Sequence, residues 1–339
     1  MESSGLTAGW DGPLRRAAGR RATMSSPALT TPVSSPPAPD AGYSPALSLY
    51  TRIWVVLTFI LLGAGVLTAA KGAGLSIPDW PLAFHRLVPP FVGNIRFEYT
   101  HRVLAGCVSL MTVGLVIWLW RVERRRWLRW LGVAALLGVI LQAILGGLTV
   151  LDFQPPWLTA FHASVAQLFF VTTVAIAIFT GRPWRTAVRL RPDATPGLYT
   201  LCVVTTAVIY GQIILGAAYR HDALPLWPHL VGAAVVTALV LWTAGVALQR
   251  HKEIARIRRA ARGLLVVLGL QIAFGLNVYL IREKTIHAPQ PPEARVGAAV
   301  IHLLCGALLL ATALLLTLRA RQYLSAPKAA ERLAAPVEL

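Results

Sequence analysis

Apolar residues in this chain fall in long unbroken blocks, neither alternating nor striped along one helix face. Eight blocks run over roughly 52–71, 101–120, 129–150, 158–180, 198–219, 227–249, 263–281 and 296–318. Each is about 20 residues long, the length of helix that crosses the hydrocarbon of a bilayer. The pattern predicts an all-α membrane protein with eight transmembrane helices. The first 50 residues are different: they are rich in Ser, Pro and Ala and lack the apolar core of a signal peptide. They read as a disordered cytoplasmic tail, within which Met24 offers an alternative start. The expected organisation is this tail over 1–50, a four-helix half over 51–182, a cytoplasmic linker over 183–197, a second half over 198–319 and a tail over 320–339.

Composition agrees, with 56% hydrophobic and 14% charged residues and a mean hydropathy of +0.61. The net charge of +18 raises the question of nucleic acid, but its placement answers it. Of 32 Lys and Arg, 24 lie in the N-terminal segment through Arg52, the C-terminal tail from Arg319 and three connections: "RVERRRWLRW", "GRPWRTAVRLRP" and "QRHKEIARIRRAAR". Basic residues collect on the cytoplasmic side of membrane proteins. Every second connection is basic, which places both termini inside, four loops outside and the chain in the cell membrane as a multi-pass protein. No nucleic-acid partner is expected. Cys107, Cys202 and Cys305 all fall within predicted spans, where they serve as small packing residues rather than as a disulfide.

The spans repeat a helical hairpin four times. Odd-numbered helices carry a shared phrase: "FILLG" at Phe59–Gly63, "QAILG" at Gln142–Gly146, "QIILG" at Gln212–Gly216 and "QIAFG" at Gln271–Gly275. Each is followed by an outward loop and an even-numbered helix with a histidine near its outer end: His101, His162, His229 and His302. The glycines permit close helix contact. Ionisable groups in membrane helices are costly and usually functional, so four at matching positions point to ligands. Two imidazoles per four-helix half suit a flat macrocycle better than a bare ion, and fill both axial positions of heme iron. His101 pairs with His162 in this reading, and His229 with His302. Arg86, Arg96, Arg102, Arg220 and Arg282 lie on the same outer side as candidates to meet heme propionates. His85, His221 and His287 fall in outward loops and His251 in a basic run.

The halves are unequal. Glu98 stands three residues before His101, where the other three histidines have Thr159, Leu226 and Ala299. One helical turn puts the two groups on one face. Glu98 is read three ways: as a helix N-terminal acid favoured by the dipole, as an ion-pair partner of Arg102, or as a carboxylate that relays protons or stabilises positive charge beside a heme. The first outward loop, "KGAGLSIPDWPLAFHRLVPPFVGNIRFEYT", is long enough to form a folded lid over this half; "YRHDALPLW" in the second half is far shorter.

The phrases "GLSIPDWPL", "EYTHRVLAG", "LGGLTVL", "FHASVAQLFF", "WPHLVGA" and "IHLLCGALLL" resemble, in this order, the heme A synthase family over about residues 50–320. That resemblance implies two pseudo-symmetric four-helix bundles. It implies oxidation of a ring methyl of heme O to a formyl group, through a hydroxymethyl stage, to give heme A for terminal oxidases. It further implies heme b as a permanent cofactor on His229 and His302, heme O as substrate at His101 and His162, and Glu98 as the required acid. Implied partners are heme O synthase, terminal oxidase assembly and a membrane electron donor, and a homo-oligomer is compatible with it.

The sequence departs from the family's pattern in two respects. It lacks the cysteine pair that some members carry in the first outward loop. "TAAKGAGLS" offers Ala69 and Lys71 where members often have an arginine. Two alternatives stand beside the enzyme: a di-heme b-type membrane electron carrier, which would need no lid over one half only, and a transporter, which would place polar groups at the midplane.

Overall fold

The computed structural model of the chain describes residues 43–185, 197–285, 287–288 and 292–324. Among these are the helices α1 (Pro45–Ala70), α2 (Ile95–Val122), α3 (Arg126–Leu151), α4 (Pro156–Thr180), the single turn α5 (Arg182–Arg185), α6 (Leu198–Arg220), α7 (Leu226–Arg250), α8 (Ala255–Thr285) and α9 (Glu293–Leu324). All but α5 are long and apolar enough to cross a membrane. Residues 1–42 of the expected tail, Met24 included, 186–196 of the linker and 325–339 lie outside the described residues.

Several helices overrun the apolar blocks. α1 starts at Pro45, inside the stretch read as a disordered tail, because Ser44 caps it: its Oγ accepts from Leu47 N at 3.2 Å, and proline suits the first turn. α8 starts at Ala255, and Arg256, Arg258, Arg259 and Arg262 ride on its first turns. α9 continues to Leu324. Hydropathy marks only the part of a helix that lipid surrounds, whereas backbone hydrogen bonding continues into water.

α1 packs against α2 and α4, and α3 against α2 and α4; likewise α6 packs against α7 and α9, and α8 against α7 and α9. Contacts of α4 with α6 and of α1 and α4 with α9 join the two circuits. Buried polar joints pin corresponding corners. Trp54 Nε1 donates to Thr112 Oγ1 at 3.1 Å between α1 and α2, and the hydroxyls of Thr205 and Thr243 meet at 2.6 Å between α6 and α7. Thr51 and Thr180 join α1 to α4 at 3.0 Å, and Thr206 and Thr317 join α6 to α9 at 2.8 Å. Such bonds contribute about 0.6–2 kcal/mol each in a membrane setting, enough to fix register where apolar packing alone is permissive. Tyr210 donates from α6 to the Ser164 carbonyl of α4 at 3.3 Å, across the two circuits.

At the other end of the helices from the four histidines, Glu123 is buried at the α2–α3 turn. It pairs with Arg125 at 2.8 Å and with Arg185 of α5 at 2.7 Å. Gln322 of α9 donates to the carbonyls of Pro183 and Trp184, at 2.9 and 3.1 Å. The one-turn helix is thus tied to both circuits.

Candidate heme-binding site

Each of the four histidines lays its ring against a glycine on the preceding helix. A Cβ added at Gly65 would stand 3.0 Å from His101 Cε1; at Gly146, 3.3 Å from His162 Cε1; at Gly216, 2.9 Å from His229 Cε1; at Gly275, 3.0 Å from His302 Cε1. Only glycine leaves these clefts open. The first cleft corrects the register of the repeat. The glycine that meets His101 is Gly65, not Gly63, which faces Leu304 of α9 instead. The matching phrase is therefore "LLGAG" over 61–65, two residues further on.

Sequence reasoning used the glycines of the phrase and passed over its glutamines. Gln212 Nε2 lies 3.0 Å from His229 Nδ1 and donates to the His229 carbonyl at 2.8 Å. Gln142 donates to the His162 carbonyl at 3.2 Å, and Gln271 Nε2 stands 3.3 Å from His302 Nε2. Their recurrence four residues before the glycine was the available signal. The first repeat has Leu61 there.

In the second half the rings of His229 and His302 have centroids 6.5 Å apart, with planes at 81°. A metal–imidazole bond of about 2.0 Å, with the nitrogen roughly 1.1 Å from its ring centre, puts two coaxial ligands about 6.3 Å apart, centre to centre. The observed spacing fits one iron between them. Nδ1 of His302, like Nδ1 of His101 and His162, is buried without a hydrogen-bond partner. Buried polar atoms are rarely left so. Among the described residues no group of three or more His, Cys, Asp or Glu could hold a bare metal ion. Paired imidazoles over glycine clefts therefore suit a metal whose remaining ligands come from a macrocycle. The Gln271 amide stands beside His302 Nε2 and would have to move aside for that nitrogen to hold a metal. Tyr219 stacks on His229 at 6.5 Å and 14°, and the Arg282 guanidinium lies over the Tyr219 ring at 4.7 Å.

In the first half, His101 of α2 and His162 of α4 each lie against a glycine cleft. Glu98 falls in the first turn of α2, so its one-turn spacing from His101 holds. The residue is only 3% exposed, and both carboxylate oxygens are engaged. Oε1 accepts from Arg102 Nη2 at 2.6 Å and Oε2 from Ile77 N of the long loop at 2.9 Å. Arg102 also donates to the carbonyls of Asp79, Leu82 and Ile77, at 2.7, 2.8 and 3.2 Å. The ion-pair reading of Glu98 is thus met in the structure, and Arg102, considered for a propionate, is occupied by the loop.

That loop is pinned at further points. The Trp80 indole covers Gly147, where a Cβ would stand 2.7 Å from its Cδ2, and Gly74 abuts the Gln154 side chain at the α3–α4 turn. Asp79 Oδ1 and Oδ2 accept from Phe84 N at 2.6 Å and His85 N at 2.8 Å, holding two residues at positive φ of 55° and 57°. The hydrogen bond from His85 leads the effects that keep the Asp79 carboxyl below its ordinary value.

Arg86 and Arg96 are exposed, and Arg96 lies over the Phe97 ring at 4.8 Å. Lys71 pairs with Glu293 in the first turn of α9. Cys202 and Cys305 are buried, and Cys107 is exposed on α2.

The profile of the cytochrome oxidase assembly protein family, COX15-CtaA, matches residues 91–224. A heme A synthase of Symbiobacterium thermophilum is 30% identical over 259 residues, covering 65% of this chain and 81% of that protein. The heme A synthase of Alkalihalophilus pseudofirmus is 29% identical over 182 residues, with 52% of this chain and 60% of the relative covered. That of Listeria monocytogenes is 28% identical over 211 residues, with 56% and 67% covered. The S. thermophilum match extends over most of that relative's length, and on this ground the chain belongs to the heme A synthase family.

Proposed function

We propose that this chain oxidises the ring methyl of heme O to the formyl group of heme A, with heme b resident in one half and heme O held in the other. The observation that carries the reading is the asymmetry of two otherwise matched sites. Only the first has a buried carboxylate one turn from its histidine, under a loop tied to that carboxylate. The closed circuits of helix neighbours and the recurring Trp–Thr and Thr–Thr joints support two pseudo-symmetric four-helix bundles. The Lys and Arg distribution supports cytoplasmic termini.

His101 and His162 bind the substrate, with the Gly65 and Gly146 clefts setting their ring planes. The loop excludes water, Trp80 closing it over α3. Conversion of a methyl to a formyl group removes four electrons and introduces one oxygen atom. The resident heme, on His229 and His302, supplies a one-electron relay when bound. Glu98, held in place by Arg102 and by Ile77 N, stabilises positive charge that develops beside it or accepts a proton released from the methyl carbon. Heme O synthase as supplier, terminal oxidase assembly as destination and a membrane redox partner belong to the same reading.

The test is a heme extract from cells that make heme O, with and without this chain. A formyl-bearing heme in the first only is the expected result, and unchanged heme O would overturn the reading. Purified protein carrying two equivalent, non-exchangeable b hemes would favour the electron carrier instead.

A further inference from the structure

Arg220 is the last residue of α6, in the second half, yet its guanidinium leans on the first. Nη2 donates to the Val66 carbonyl of α1 at 3.2 Å. Val66 adjoins Gly65, the residue that carries the His101 ring. The neighbouring His221 is half-buried rather than free in its loop. This corner of α6 therefore stands beside the stretch of α1 that seats the His101 ring.

The other arginines considered for a propionate are accounted for, and Arg295, half-buried in the first turn of α9, belongs to the second half. Arg102 is paired with Glu98, Arg86 and Arg96 are exposed, and Arg282 stands over the Tyr219–His229 stack of the second half. Arg220 is half-buried, and no carboxylate among the described residues pairs with it. A position at a helix C-terminus favours a cation, and Val66 takes one of the five N–H donors of a guanidinium. Neither supplies the counter-charge that an enclosed cation requires.

We propose that Arg220 receives a propionate of the heme held in the first half, reaching across from the second half to anchor it. The inference rests on the proposed function. His101 and His162 alone would hold a heme by its iron and leave it free to turn. A guanidinium beyond the porphyrin edge removes that freedom, and its planar fork matches a carboxylate. The substrate methyl would then be presented to one side of the site only. Because the anchor belongs to α6, the first site is complete only when both halves are in place.

The experiment titrates purified full-length wild type, Arg220→Lys and Arg220→Gln with heme O and with its dimethyl ester, followed by absorbance. Resident heme is quantified in parallel, and helical circular dichroism with a monodisperse elution profile reports independently that each variant has folded. Wild type is expected to bind the free acid about tenfold more tightly than the diester, as for loss of a hydrogen bond between charged groups. Arg220→Gln should bind the two alike, Arg220→Lys should fall between, and resident heme should stay unchanged in both. Preference for the free acid surviving in Arg220→Gln would overturn the proposal. Loss of resident heme in a folded Arg220→Gln would overturn it too, by assigning the carboxylate to the second-half heme. Wild type that binds heme O without discriminating against the diester defeats this inference alone. Wild type that binds no heme O defeats the proposed function with it.

Discussion

Filling one histidine cleft tests the heme reading without touching a ligand. Gly275→Ala adds a Cβ 3.0 Å from His302 Cε1 and 3.5 Å from Nδ1. Carbon atoms rest about 3.5–4.0 Å apart, so the ring must shift by roughly half an ångström or more, or α8 and α9 must part. Overpacking of this kind costs about 1–3 kcal/mol, which is about 5- to 150-fold in the affinity of whatever requires His302 in place. Alanine also favours the helix by about 1 kcal/mol over glycine, which offsets part of the loss in the heme-free protein. The melting temperature of the heme-free protein should therefore move little while heme affinity falls. Gly269→Ala, on the same helix with nothing within 4 Å of its added Cβ, is the control. Heme per protein after purification, read as the pyridine hemochrome, should drop for Gly275→Ala and match wild type for Gly269→Ala. Equal heme content in the two variants would refute the argument that this cleft seats a ligand.

Arg102→Ala leaves the carboxylate of Glu98 buried without its cation, a loss of about 3–5 kcal/mol for a buried pair; the loop should loosen, and trypsin should cut faster at exposed Arg86. Asp79 is a carboxyl held below its ordinary value of 3.8, so it stabilises the loop above that value and ceases to do so as pH falls through its depressed one. Cleavage at Arg86 by an acid-active protease should accordingly rise below about pH 4, and Asp79→Asn should show the looser behaviour at neutral pH already. Burial pushes the Glu123 carboxyl up, but the hydrogen bonds and charges of Arg125, with the charge of Arg185, outweigh it and leave it below the usual range. Its pairing is therefore present at neutral pH and lost in acid. Glu123→Ala should destabilise the fold by about 3–5 kcal/mol, seen as a lower melting temperature in detergent with heme content per folded protein unchanged.

The eight apolar helices were legible because lipid demands long apolar runs, and a run that long has no other use in a helical chain. Their ends were less so: Ser44 extends α1 back to Pro45 by a single side-chain cap that no hydropathy window registers. The repeat phrase was visible, but its first copy was misaligned by two residues, since Gly63 and Gly65 both satisfy "glycine near the outer end" and only the facing side chain separates them. The glutamines were in plain view, yet a hydrogen bond to a neighbouring helix depends on rotation about the helix axis, which an eight-helix sequence leaves open. The Glu98–Arg102 pair follows from i, i+4 spacing. Its bonds to Ile77, Asp79 and Leu82 depend on where a 24-residue connection folds back, and local pattern says nothing of that. The reach of Arg220 to Val66 is a contact between residues 154 apart in the chain.

The central claim is that four imidazoles serve two hemes unequally. Single alanine variants of His101, His162, His229 and His302, purified from cells that supply heme O, test it most directly when retained heme and heme A formation are measured on the same samples. The account predicts that the His229 and His302 variants lose the tightly held b heme, while the His101 and His162 variants keep it and stop producing heme A. The same heme content in all four, or heme A undiminished in the first-half pair, would contradict it.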